Sequence, residues 1–195
     1  GGVGRGGPLR TVARSGAEAV AGPGVSSADI MPPTPNAGSG VAVSTIDLSA
    51  AANTRFPAGG GEHALRESLQ GDVFERYDFV LLDCPPTLGL LSINALVAAD
   101  SVIIPVQTQY YALKGFSALV GVITQIRNRG LNPDLRILGL LPTFFDGRTL
   151  LGRDMLDELR GMGDHHVFES MIRQTVRLGE APLVGRPVTS YATNS

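Results

Sequence analysis

The sequence predicts an α/β fold, a doubly wound and mostly parallel sheet with helices on both faces. Three observations carry this. Apolar runs of strand length recur at Phe79–Leu82, Val102–Val106, Ile137–Leu141 and Val167–Ile172. Between them lie stretches whose apolar residues repeat every three or four positions, the spacing of one helix face. Strand and helix alternate along the chain, and that order folds as parallel strands joined by helical crossovers.

Each element follows from its residues. Phe79-Val80-Leu81-Leu82 is unbroken by polar residues and predicts a strand buried on both faces, as does Val102–Val106. Pro85-Pro86 stops the first of these strands. Leu88–Ala98 is nearly all apolar and predicts a helix. Leu113, Phe116, Val120, Ile123 and Ile126 fall on one helical stripe, and Leu151, Met155, Leu156 and Leu159 on another. Residues 1–61 differ in kind, holding 13 of the 25 glycines and 6 of the 13 prolines, with no lasting periodicity before Val41. An irregular segment over 1–40 is therefore expected ahead of a folded domain over 41–195.

Composition narrows the function. Sixteen basic and 18 acidic residues leave a net charge of −2, too balanced to hold nucleic acid by bulk charge, though a local basic patch stays open. The single cysteine, Cys84, excludes an intrachain disulfide, and three histidines do not suggest a histidine-based metal centre. Cys84 is expected to be a small, buried packing residue. No apolar run approaches the length of a membrane-spanning helix, and no secretory leader is visible at the N-terminus, so a cytoplasmic location is expected. Lys114 is the only lysine; every other basic residue is arginine.

The chemistry centres on Phe79-Val80-Leu81-Leu82-Asp83-Cys84-Pro85-Pro86. In an open parallel sheet, ligands sit beyond the carboxyl ends of the strands. A carboxylate there can hold magnesium beside nucleotide phosphates. On the octapeptide alone, a strand closed by a capping aspartate is an equal alternative. The opening Gly1-Gly2-Val3-Gly4-Arg5-Gly6-Gly7 could wrap phosphates with backbone N–H groups, yet Arg5 stands where a phosphate-binding loop needs lysine. By itself this heptapeptide reads as Gly-rich coil.

The stretch from Tyr77 through Asp83-Cys84-Pro85-Pro86-Thr87-Leu88-Gly89 to Leu96 resembles the second nucleotide motif of ParA-type partition ATPases, of the ParA/MinD branch of deviant P-loop ATPases. Val102–Gln107, Tyr110–Leu113, Phe145–Thr149 and Ile172–Pro182 resemble successive later segments of that family, in order and spacing. Gly1–Gly4 resembles a stub of its P-loop. The resemblance implies a P-loop NTPase sheet that lacks its first strand and closing helix. It further implies Mg-ATP binding, dimerisation around two nucleotides, binding to DNA without sequence preference, and hydrolysis stimulated by a ParB-like partner on chromosome or plasmid cargo at the nucleoid.

Carried over by position, Asp83 would be catalytic and lie near Mg2+. Gly1, Gly2, Val3, Gly4, Arg5, Thr143, Asp146, Arg173, Gln174, Thr175 and Val176 would line the nucleotide, and Arg148 and Arg177 would face DNA. Arg5 replaces the family's second P-loop lysine, Gly6 and Gly7 replace its hydroxyls, and Gln174 replaces a proline. These departures lead to the expectation of a catalytically defective chain. The alternative is a nucleotide-independent pseudo-ATPase that keeps DNA or partner contacts. A membrane-cycling MinD-like role would need a C-terminal amphipathic helix, and none is read here, so no membrane partner is expected.

Overall fold

The computed structural model describes residues 11–15, 39–42, 61–70, 77–108 and 112–192. The chain folds as two compact units, residues 1–100 with 121–135 and residues 101–120 with 136–195.

The first unit holds a parallel sheet of three strands, β1 (Thr11–Ser15), β2 (Ser39–Ala42) and β3 (Phe79–Asp83), with β1 in the middle. Thr11 pairs with both Ser39 and Phe79, and Ser15 with Asp83. The irregularity expected before Val41 is therefore corrected at Thr11–Ser15. Thr-Val-Ala-Arg-Ser is too short to show a period, and its strand state rests on backbone pairing to two neighbours. A second correction concerns β3. Its exposure alternates, with Phe79 and Leu81 more than half exposed and Val80 and Leu82 only half-buried, where burial on both faces was expected.

A 3-10 turn (Gly61–His63) runs into α1 (Ala64–Ser68), and α2 (Leu90–Ala98) follows β3. Three buried polar side chains tie this unit together. Asn94 accepts from the Leu65 backbone N–H at 3.1 Å and donates to the Leu90 carbonyl. Ser92 donates to the Thr87 carbonyl at 2.6 Å, fastening the turn after β3 to the helix. Asn132 donates to the carbonyls of Leu96 and Ala99 at 2.9 and 2.8 Å. Those groups at the end of α2 would otherwise lack partners.

In the second unit β4 (Ser101–Gln107) pairs in parallel with β5 (Arg136–Thr143), from Ser101 against Arg136 to Gln107 against Thr143. β4 buries one face: Ile104 and Val106 are buried while Ile103 is 47% exposed. Helix α3 (Ala112–Asn128) lies between these strands along the chain, its residues up to Val120 in this unit and those from Gly121 in the first; Phe116, Ile123 and Ile126 of the expected stripe are buried. Helix α4 (Leu150–Gly161) buries Met155, Leu156 and Leu159, but leaves Leu151 exposed.

The strand expected at Val167–Ile172 does not form. Single parallel bridges join Val167 to Leu140 and Arg173 to Phe145. Phe168 donates to the Leu140 carbonyl, and Ile172 donates to that of Pro142. β5 thus advances two residues while its partner advances four, and the surplus at 169–171 breaks the ladder. The chain ends its described part in α5 (Val176–Glu180), a 3-10 turn (Ala181–Val184) and α6 (Val188–Tyr191).

Candidate nucleotide-binding site

The expected residues fall into separate groups. Gly1, Gly2, Val3, Gly4 and Arg5 lie outside the described residues. Asp83 closes β3 in the first unit, at the carboxyl end of the strand, with its side chain exposed. Behind it, the Cys84 thiol donates to the Leu82 carbonyl at 3.7 Å. Desolvation pushes that thiol up, with the Asp83 charge adding, although the residue as a whole is exposed. Both influences disfavour the thiolate that a nucleophilic cysteine needs. Its exposure corrects the expected buried packing role.

The second unit holds Thr143, Asp146 and Arg173–Val176, and pairs the backbone of Phe145 with that of Ile172–Gln174. Phe144, immediately after β5, has φ 53°, the left-handed region that a residue with a side chain seldom adopts. Such a turn persists only where its surroundings over-determine it. Here the Thr108 hydroxyl donates toward the carbonyls of Thr143 and Phe144 at 3.4 and 3.3 Å, and the Thr108 N–H donates to Thr143 at 3.1 Å. On the other side, Phe145 donates to the Ile172 carbonyl, and Gln174 donates to that of Phe145 at 3.0 Å. This clamp sets the Thr143–Asp146 turn beside Arg173 and Gln174. Thr108 was not among the expected site residues; as a buried hydroxyl directly after a strand it left only a weak signal.

The Asp146 carboxylate accepts from its own loop. Arg148 donates its backbone N–H and Nε to Oδ1 at 3.0 and 2.9 Å, and Nη2 to Oδ2 at 2.8 Å. This forked pair holds the Asp146 carboxyl down to about 2, mainly through the side-chain hydrogen bonds. Thr149 then caps α4, its hydroxyl accepting from the Gly152 N–H at 3.1 Å and donating to the Asp146 carbonyl at 2.9 Å. Thr175 likewise caps α5, accepting from the Arg177 N–H. Val176 is 74% exposed at the start of that helix, and Arg173 and Gln174 are exposed.

Both expected DNA-facing arginines carry carboxylate partners from this chain. Arg148 is 90% exposed at its side chain and paired with Asp146. Arg177 Nη1 donates to Glu180 Oε2 at 2.8 Å, and the Tyr191 hydroxyl donates to the same oxygen at 3.2 Å. These two bonds, with Arg177 the larger influence, hold the Glu180 carboxyl below its ordinary range. Among the described residues no cluster of three or more His, Cys, Asp or Glu is placed to hold a metal ion. No helix among them is long and apolar enough to cross a membrane.

The model of an AAA domain family matches residues 24–137. The chain belongs to that family, in its ParA-type branch of partition ATPases. The chromosome partitioning protein ParA of Myxococcus xanthus is 43% identical over 155 residues, covering 80% of this chain and 54% of the relative. The sporulation initiation inhibitor protein Soj of Bacillus subtilis is 42% identical over 151 residues, covering 77% and 59%. The chain thus spans about half the length of the curated relatives it matches. Among solved structures, cobyrinic acid a,c-diamide synthase of Mycobacterium smegmatis, with an ATP analog and magnesium bound, is 28% identical at a TM-score of 0.76, covering 86% of this chain and 74% of that one. Cyanothece McdA in an ATP complex is 17% identical at a TM-score of 0.81, covering 95% and 80%. This ParA-type chain therefore has the α/β fold of the P-loop ATPases, as its parallel strands and intervening helices require.

Proposed function

We propose that this chain is part of a ParA-like ATPase of chromosome or plasmid partition, binding Mg-ATP and DNA without sequence preference. The observation that carries the reading is the clamp that gathers Thr143, Asp146, Arg173 and Gln174 at the carboxyl end of β5, the end of a parallel strand where ligands bind. These residues and Thr175–Val176 would form the base side of the nucleotide site, with Gly1–Arg5 on the phosphates. Asp83 is an exposed carboxylate at a strand end, a hard oxygen donor that fits magnesium; with no further acidic cluster beside it among the described residues, phosphates and water would supply the remaining ligands. When bound, the ion would supply charge compensation for the phosphates. Arg148 and Arg177 would meet DNA phosphates, whose oxygens suit the guanidinium fork. Partners of this reading are a ParB-like stimulating protein, DNA and a second copy of the chain, at the nucleoid in the cytoplasm.

Arg5 in place of lysine lowers the expected catalytic rate, because its fixed fork cannot take the point-charge role of the P-loop lysine. The resulting second reading is a pseudo-ATPase that binds DNA or a partner without nucleotide. Equilibrium binding of a fluorescent ATP analogue, with and without Mg2+, separates the two. Magnesium-dependent binding that Asp83→Ala weakens at least tenfold supports the ATPase. DNA binding retained with no nucleotide binding supports the module, and loss of both rejects each.

A further inference from the structure

The two arginines assigned to DNA are not presented as bare cations. Each meets a carboxylate of its own chain at 2.8 Å on an exposed surface. Asp146 belongs to the nucleotide side, so its pairing serves the loop before α4. Glu180 has no such duty. It sits one helical turn after Arg177 on α5, and its Oε2 is also held by the Tyr191 hydroxyl from α6. A second donor from a separate helix anchors the carboxylate, so Arg177 is paired with a fixed partner. A carboxylate and a phosphate compete for the same guanidinium donors. A phosphate approaching Arg177 must therefore displace Glu180 or lie beside its negative charge.

We propose that Glu180, anchored by Tyr191, is a built-in competitor that lowers the affinity of Arg177 for nucleic-acid phosphate. The proposal rests on the DNA-binding part of the function proposed above. Exposed ion pairs are weak, so the expected effect is modest and salt-sensitive. It tunes affinity and does not abolish binding. The opposite role, Glu180 orienting Arg177 toward phosphate, predicts the opposite sign.

The test is titration of the full chain with fluorescent duplex DNA of random sequence at 50 mM and 200 mM salt. The proteins compared are the unaltered chain, Glu180→Gln, Tyr191→Phe and Arg177→Ala, each checked for an unchanged far-UV spectrum. Glu180→Gln is expected to tighten binding about 1.5- to 5-fold at 50 mM, and less at 200 mM. Tyr191→Phe, which frees the carboxylate without removing its charge, should give a smaller gain. Arg177→Ala should weaken binding and leave nothing for Glu180→Gln to improve in the double variant. If Arg177→Ala weakens binding but Glu180→Gln and Tyr191→Phe leave it unchanged or weaker, the competitor role is overturned while the DNA reading stands. If Arg177→Ala has no effect, the DNA role of Arg177 fails, and the competitor role with it.

Discussion

Gly152→Ala sets two effects of known size against each other. Gly152 lies in the first turn of α4, and replacing glycine by alanine in a helix ordinarily stabilises by about 0.5–1 kcal/mol. A Cβ at this position would lie 2.6 Å from the Asp146 carbonyl oxygen and 2.9 Å from Thr149 Oγ1. The first is a backbone atom that cannot swing aside, and it accepts the Thr149 hydroxyl and N–H. Relieving the overlap means moving the Asp146 peptide and losing part of the cap on α4. Overpacking of this kind costs about 1–3 kcal/mol and a lost cap about 1 kcal/mol. The clash wins, for a net loss of about 1–2 kcal/mol. For a chain of this size that lowers Tm by about 2–8 °C, measurable by thermal melting followed by circular dichroism. The double variant with Thr149→Ala sharpens the test. Both changes act on the same cap, so their combined cost should fall short of the sum. A rise in Tm for Gly152→Ala, or strict additivity, would refute the reasoning.

Two further predictions concern charge. Arg148→Ala with Arg177→Ala should flatten the dependence of DNA affinity on salt by about 1.8 in log–log slope, about 0.9 for each phosphate no longer neutralised, and should do so equally on unrelated sequences; an unchanged slope removes both residues from the DNA surface. The Asp146 carboxyl is depressed from 3.8 to about 2, so the stability it contributes is complete above its unfolded value and is lost as pH falls through about 2. Arg148→Ala should return the Asp146 titration, followed by carboxyl NMR, toward the ordinary carboxylate range, and a midpoint that stays near 2 would contradict the assignment of the shift to Arg148.

What the sequence revealed and what it hid have separable causes. Strands β3, β4 and β5 were legible because each is an unbroken apolar run, a signal that survives whichever face is buried. Their exposure was not legible, since Phe79 and Leu81 look the same in a strand covered on one face or on two. Val167–Ile172 was misjudged for a related reason. Its apolar content is that of a strand, but backbone pairing needs matched advance along both chains, and 169–171 is out of step with β5. β1 lay below detection because five residues carry too little pattern and its stability comes from pairing on both edges.

The site divides along the same line. The place of Asp83 at a strand end was legible from the apolar run before it and the two prolines after it, whereas Arg148 and Arg177 were assigned by resemblance and only the structure supplies their partners. Those partners change what the arginines can do. A free guanidinium on a chain of net charge −2 would attract any polyanion in reach, but for one paired with a carboxylate the incoming anion must displace that partner or lie beside its charge. Exchange gains little energy when the incoming anion meets a single arginine. It gains more when a regular array of phosphates meets several arginines together, because each phosphate neutralised releases a further counterion from the nucleic acid. On the proposed DNA-binding reading, intrachain pairing would filter against isolated phosphates and in favour of a polymer. Such selectivity would depend on the spacing of Arg148, Arg177 and their carboxylates, which an overall charge balance cannot reveal.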